Sequence, residues 1–311
     1  MGKRLRYGAY FVSEGMRVLL KRKPKLVFDN TLYLDDLHAN RYIEEQIRQG
    51  QPFMACRMGS GEMRTFRRTL EVRWGFRRQL PEETMDSICV NAGFFPRDRK
   101  KVMAFGQVME EACQEADLIG VWDGLVMENY VYDTYVRQAK RCFLSGLEPF
   151  FCGEPWTRAL AGKRVLVIHP FEDSIRRQYE SREKLFRNPE ILPEFTLLTL
   201  KAVQTIAGQR DERFADWFEA LSYMEKEALA KAFDVALVGC GAYGFPLAAR
   251  LKAAGKQVIH MGGALQLLFG IRGKRWDERE DYQVLFNDAW RRPMENERPA
   301  SAEKVENQCY W

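Results

Sequence analysis

Arg57-Met58-Gly59-Ser60-Gly61-Glu62 follows a short apolar run, Phe53 to Cys56, and opens a stretch with helical spacing. A strand that stops at an arginine, a glycine-flanked turn and a carboxylate in the next helix's first turn gather at one strand end. In open α/β sheets that is the end where ligands bind. Arg57 offers a planar fork for diphosphate oxygens. Glu62 can ligate a divalent metal, accept a hydrogen bond from a sugar hydroxyl, or simply favour its helix's first turn, worth about 0.3–1 kcal/mol.

Two further glycine turns share this layout. Gly239-Cys240-Gly241-Ala242-Tyr243-Gly244 lies between a predicted strand and helix and fits G-x-G-x-x-G, in which backbone N–H groups approach a phosphate at a helix N-terminus. Tight strand–helix packing is the plainer reading of the same glycines. Gly262-Gly263 follows His260 at the next strand end. His260 is either a core histidine bonded to a carbonyl or a contact for base or diphosphate, and His169, ending Lys163 to Ile168, has the same two readings. Asn91 in an Asn-Ala-Gly loop suits a base or sugar edge. Asp123, before Gly124 at another strand end, is placed for metal or base work or for an ordinary Asp-Gly turn.

These residues need a scaffold of alternating elements. Predicted strands are 53–56, 117–122, 163–168, 195–200, 234–238 and 257–260, separated by helical spacing over 34–49, 97–116, 129–143, 172–187, 211–232 and 245–254. Pro81 opens one more helix. The aromatic loop 147–156, with two prolines, resists assignment. Alternation of this kind predicts an α/β fold with a mostly parallel sheet and helices on both faces. The expected organisation is a basic helical extension at 1–33, one α/β domain at 34–276 and a tail at 277–311 packed on it.

Composition narrows the class. At 311 residues and 46% apolar, the chain can bury a full core. Its seven cysteines, odd in number and scattered, predict reduced thiols and a cytoplasmic setting, and only three histidines argue against a histidine-rich metal site. Of the net charge of +5, residues 1–25 hold eight basic groups and one acid, a local +7 that leaves the remainder near neutral. Such a head predicts an anionic partner. No nucleic-acid partner is expected; the candidate is the inner membrane face, reached by a basic amphipathic helix lying on it. An ordinary helix docked on the domain fits the same residues. The stretch Tyr7 to Leu20 is too short and polar to span a bilayer and lacks a signal peptide's features.

The Arg57–Glu62 turn, together with the late unit FDVALVGCGAYGFPLAARLKAAGKQVIHMGG, resembles bacterial glycosyltransferases of the GT-D fold. The segments GGALQLLFGIRGKRW and VENQCYW accompany a polysaccharide-associated subgroup. The resemblance spans about residues 35–275 and implies a Rossmann-like GT-D sheet and a nucleotide-sugar donor, usually a UDP-sugar. It also implies a glycan or lipid-linked acceptor and an Asp-x-Glu metal motif for Mn²⁺ or Mg²⁺. Glu62 matches the glutamate, whereas Ser60 stands where the family has aspartate, and a serine is a poor ligand for such ions. Asp123 is the candidate to complete a metal shell or, like Glu62, to act as base. With such a donor, the strand-end and glycine-turn residues expected to bind it are Arg57, Gly59, Ser60, Gly61, Asn91, His169, Gly239, Gly241, Gly244, His260, Gly262 and Gly263.

Two other functions stay open. An NAD(P)-dependent oxidoreductase would use the Gly239–Gly244 turn, but the strand after it ends in His260 rather than the acid that holds a ribose, and only 67 residues follow Gly244. A non-catalytic nucleotide- or carbohydrate-binding relative would be consistent with Ser60. Sugar, stereochemistry and oligomeric state are not written in the sequence.

Overall fold

Seven parallel strands form one sheet in the order β3-β2-β1-β7-β6-β4-β5. They are β1 Phe53–Arg57, β2 Leu118–Val121, β3 Lys140–Phe143, β4 Arg164–His169, β5 Thr196–Lys201, β6 Val235–Val238 and β7 Gln257–His260. The structure is a computed structural model and describes residues 2–20, 30–122, 129–299, 303 and 310–311. Its α/β class is the expected one.

The sheet is covered on both sides because its strands are apolar on both sides. Side chains alternate across a strand, so Met54 and Cys56 enter one core while Phe53 and Ala55 enter the other. Leu166 and Ile168 part from Val165 and Val167 in the same way on β4. The first core lies under α1 Lys3–Leu19, α2 Asp36–Gln49 covers the second, and α3 Ser60–Arg73, α4 Glu82–Asp86, α5 Arg99–Ala112 and α6 Asn129–Tyr135 return to the first. Of the later helices, α7 Glu172–Tyr179 packs on the second core, and α8 Trp217–Leu229 and α9 Gly244–Ala253 on the first. Short helices α10 Leu265–Leu268, α11 Lys274–Asp277 and α12 Glu280–Gln283 carry the chain back across the second.

The connection leaving β4 runs outward to β5, whereas that leaving β6 runs inward to β7. Neighbouring strands whose connections diverge open a crevice at their carboxyl ends. Here the crevice falls between His169 and Gly239, next to the ends of β7 and β1.

One element differs from expectation. The helix predicted over 129–143 ends at Tyr135, and Lys140–Phe143 forms strand β3 at the sheet edge. The sequence KRCF shows neither a β-branched run nor alternation, yet charged side chains are what an edge strand tolerates. Arg141 is buried beneath Tyr33 and pairs with Asp133 at 2.7 Å. The helices predicted over 172–187 and 211–232 are shorter than their periodic stretches, ending and starting at Tyr179 and Trp217.

Helices α3 and α5 cross closely because Gly106 has no side chain: a β-carbon there would lie 2.0 Å from Thr69 Oγ1 and 2.6 Å from its Cβ. An alanine in mid-helix ordinarily gains about 1 kcal/mol over glycine. At this crossing Gly106→Ala is expected to cost about 1–3 kcal/mol from overpacking, read as a lower Tm; an unchanged or raised Tm would show that the helices part freely.

Candidate functional site

The carboxyl ends of β1, β7, β6 and β4 open into a cleft of about 850 Å³. Its volume lies within the range of small-molecule and cofactor sites, about 300–1,000 Å³. Twelve of the predicted site residues line it: Arg57, Gly59, Ser60, Gly61, Glu62, Asn91, His169, Gly239, Gly241, His260, Gly262 and Gly263. Gly244 stands behind the wall, and Asp123 lies outside the described residues.

Arg57 is the last residue of β1 and half-buried. Its guanidinium lies over the Trp122 ring, 4.9 Å from the centroid, and that indole is fixed by donating to Met58 O at 2.8 Å. Among the described residues the guanidinium has no hydrogen bond or ion pair. The other lining arginines are engaged: Arg64 with Glu83, Arg275 with the Tyr310 hydroxyl and Arg279 with Asp281.

Beside Arg57 begins α3, whose N-cap is Gly59 with no side-chain cap. The first helical N–H groups, of Ser60, Gly61 and Glu62, have no i−4 carbonyl to bond, and the helix dipole favours negative charge there. The Glu62 carboxylate folds back along the turn: a β-carbon on Gly59 would lie 2.0 Å from Glu62 Oε2. Gly59 is therefore required for the carboxylate's position.

The remaining glycines serve close packing. A β-carbon on Gly239 would meet Gly262 O at 2.6 Å and His169 Cδ2 at 3.0 Å. One on Gly244 would lie 2.2 Å from His260 Nε2, so this third glycine seats α9 against β7. Gly241 has φ +56 and its backbone passes close to Ala92 O. In this turn the N–H of Gly239 is given to Ile168 O, that of Ala242 to Ala92 O and that of Tyr243 to Cys240 O. With the Gly244 N–H given to Gly241 O, four of the six donors a phosphate cradle would use are spent within the protein. The β6–α9–β7 unit is a true parallel βαβ unit, but at the end of β7, where a dinucleotide site needs its acid, stands His260.

Both histidines are neutral and buried. His169 accepts the Phe171 N–H at Nδ1, 3.0 Å, which places its proton on Nε2. Burial pushes its pKa down to about 3. Burial and then the Arg57 charge push His260 down to about 3 as well; the Arg57 carbonyl pulls weakly the other way but is outside hydrogen-bond geometry, and among the described residues neither ring nitrogen has a hydrogen-bond partner.

Sequence reading missed Glu148. It follows β3 in the unassigned aromatic loop, lines the cleft and is 6% exposed. The Tyr282 hydroxyl donates to its Oε2. Burial raises its pKa, against the pull of that hydrogen bond and of the Arg57 and Arg279 charges. The available signal was a single acid inside the apolar run Leu147-Glu148-Pro149-Phe150. Also missed were Tyr310 and Trp311, which close one side of the cleft: Tyr310 O accepts from Gln266 Nε2 at 3.2 Å, and the Trp311 ring packs 5.9 Å from Phe171. A polar tail that ends in two aromatic residues was their only trace.

Among the described residues no group of three or more His, Cys, Asp or Glu side chains could hold a metal ion. Glu62 is two residues from Ser60, whose hydroxyl is a weak donor for Mg²⁺ or Mn²⁺, while Glu148 is held by Tyr282. Among the described residues these donors do not fit the implied metal; Asp123, the other candidate ligand, lies outside them.

The histidines set a pH dependence. Their folded pKa values of about 3 lie below the ordinary 6.5, so the unfolded chain takes up protons first as pH falls. Stability is full above pH ~6.5 and declines towards pH ~3, by at most about 1.4 kcal/mol per pH unit per histidine. Tm is expected to drop between about pH 7.5 and 5.5, and less steeply in His260→Asn; equal slopes would mean that His260 is not held neutral.

No family model and no curated protein matches the chain. Two solved structures resemble it in shape. One is a selenomethionine-substituted structure of domain of unknown function 1792, at 12% identity; the other, at 13%, is of the same domain, described as highly conserved and as having a distinct glycosyltransferase fold. Each likeness covers 88% of this chain and 94% of the other, with a TM-score of 0.41. Similarity of this degree leaves activity, donor and acceptor to be argued from the site itself.

Proposed function

We propose that the chain is a glycosyltransferase whose cleft binds a nucleoside-diphosphate sugar, a UDP-sugar in the first instance. The observation that carries this reading is Arg57, a half-buried guanidinium with no partner among the described residues, fixed over Trp122 beside the N-terminus of α3. A fork-shaped cation and the N-terminus of α3 line the same cleft, and cations and helix N-termini are the groups that recognise a diphosphate. The aromatic walls, Trp122, Trp276, Tyr282, Tyr310 and Trp311 among them, offer faces for a base and a sugar ring.

The reacting bond would be that between the sugar's anomeric carbon and the diphosphate oxygen. As it breaks, charge develops on the leaving diphosphate, and Arg57 with the α3 N–H groups is placed to stabilise it. The acceptor hydroxyl forms the new bond and must lose its proton. Glu148 has the features of the base: it is a carboxylate buried in the cleft, and burial raises its pKa above the ordinary carboxylate value. Glu62 and Asp123 are the alternative carboxylates from the sequence. An acceptor on a lipid carrier and a cytoplasmic face are part of the same proposal. The NAD(P) reading finds no acid at the end of β7, and four of its six glycine-turn donors are already bonded.

Thermal-shift measurements with UDP-sugars, GDP-sugars and NAD(P), each with and without Mn²⁺, test the donor. Stabilisation by a nucleotide sugar is expected, reduced at least tenfold in affinity by Arg57→Ala; stabilisation by NAD(P) alone would overturn the reading. For the base, Glu148→Gln should lower turnover by about 10²–10⁴-fold while UDP binding persists. Loss of turnover in Glu62→Gln with Glu148→Gln fully active would assign the proton to Glu62 instead.

A further inference from the structure

Helix α1 is turned the opposite way from an ordinary surface helix. Its inner side holds Tyr7, buried among Trp74, Phe76 and Tyr130 with ring centroids 5.3, 5.5 and 4.9 Å away. The Tyr7 hydroxyl donates to Glu71, which Arg67, Arg68 and Arg77 also hold. Lys3 pairs with Glu110 at 2.8 Å, and Glu14 is tied to Arg17 at 2.9 Å. On the outer side, Leu5, Val12, Met16 and Leu19 recur at helical spacing and are 67%, 62%, 58% and 82% exposed. A water-facing helix carries its polar residues outward. This one carries an apolar stripe.

We propose that α1 lies in the surface of an anionic bilayer, with Leu5, Val12, Met16 and Leu19 at the headgroup–acyl boundary. Charge selects this occupant. Residues 1–25 carry a local charge of +7 with Glu14 as the one acid, and that acid is neutralised by Arg17. Anionic lipid attracts such a segment, whereas a second copy would repel it. Area points the same way: a 17-residue helix presents a stripe about 25 Å long and about 10 Å wide, on the order of 250 Å², against about 800 Å² per partner in a stable dimer. Among the described residues no helix is long and apolar enough to cross a membrane, so α1 lies on the bilayer. Tyr7 and the Glu71 cluster make it a rigid foot of the domain.

Vesicle co-sedimentation of the full chain tests this. Binding to vesicles containing phosphatidylglycerol is expected at low salt, with at least about tenfold less on phosphatidylcholine alone and a marked loss at high salt. The double variant Val12→Asp/Met16→Asp should lose binding to anionic vesicles at least about tenfold, with Tm and nucleotide-sugar response kept, because both side chains point away from the core. Wild-type protein that ignores anionic vesicles, or a double variant that binds them as well as wild type, would overturn the proposal. So would a dimer in light scattering that the double variant abolishes, since the stripe's occupant would then be a second copy. The readout is independent of catalysis, so failure of the glycosyltransferase reading leaves it standing.

Discussion

Arg57 ends strand β1 with its charge partly withdrawn from water and no carboxylate paired to it among the described residues. Partial desolvation of a cation is unfavourable unless something compensates. Within the protein, part of the compensation is the face of Trp122, worth about 0.5–2 kcal/mol as a cation–π contact. The proposed diphosphate would supply the rest. Trp122 can serve only because Met58 O fixes its indole, and Met58 O is presented by the turn into α3. The charge of Arg57 also reaches His260 and Glu148, lowering the pKa of each. One side chain thus couples the carboxyl ends of β1 and β7 to the loop after β3.

That coupling depends on backbones that approach more closely than side chains permit. Gly239 lets the ends of β6 and β4 meet the turn after β7, a β-carbon on Gly262 would lie 3.3 Å from Arg57 Cδ, and Gly244 makes room for His260. The switch in connection direction between β4 and β6 opens the crevice, and the glycines narrow its floor until three strand ends act as one surface. One acid, by contrast, comes from the periphery: Glu148 from beyond the edge strand β3, held there by Tyr282 of α12.

Much of this was legible in the chain. Continuous apolar strands such as RVLVIH and DVALV announce a doubly covered parallel sheet, and six of the seven strands and the three glycine turns follow from hydrophobic spacing and flanking signals. β3 was hidden because an edge strand needs no apolar alternation, and KRCF reads equally as the end of the preceding helix. Glu148 was hidden because burial of a lone acid is a tertiary fact; its partner Tyr282 is 134 residues away. The G-x-G-x-x-G match was visible, but whether its N–H groups face a ligand or the protein depends on Ala92, which sequence pattern does not place.

The central claim is that the diphosphate of a nucleotide sugar lies between Arg57 and the N-terminus of α3. A crystal structure of the protein with UDP tests it most directly. The account predicts phosphate oxygens within hydrogen-bond reach of the Arg57 guanidinium and of the Ser60 and Gly61 N–H groups, with the uracil on the aromatic wall. A diphosphate seated instead on the Gly239–Gly244 turn, with Arg57 still over Trp122 and untouched, would contradict it.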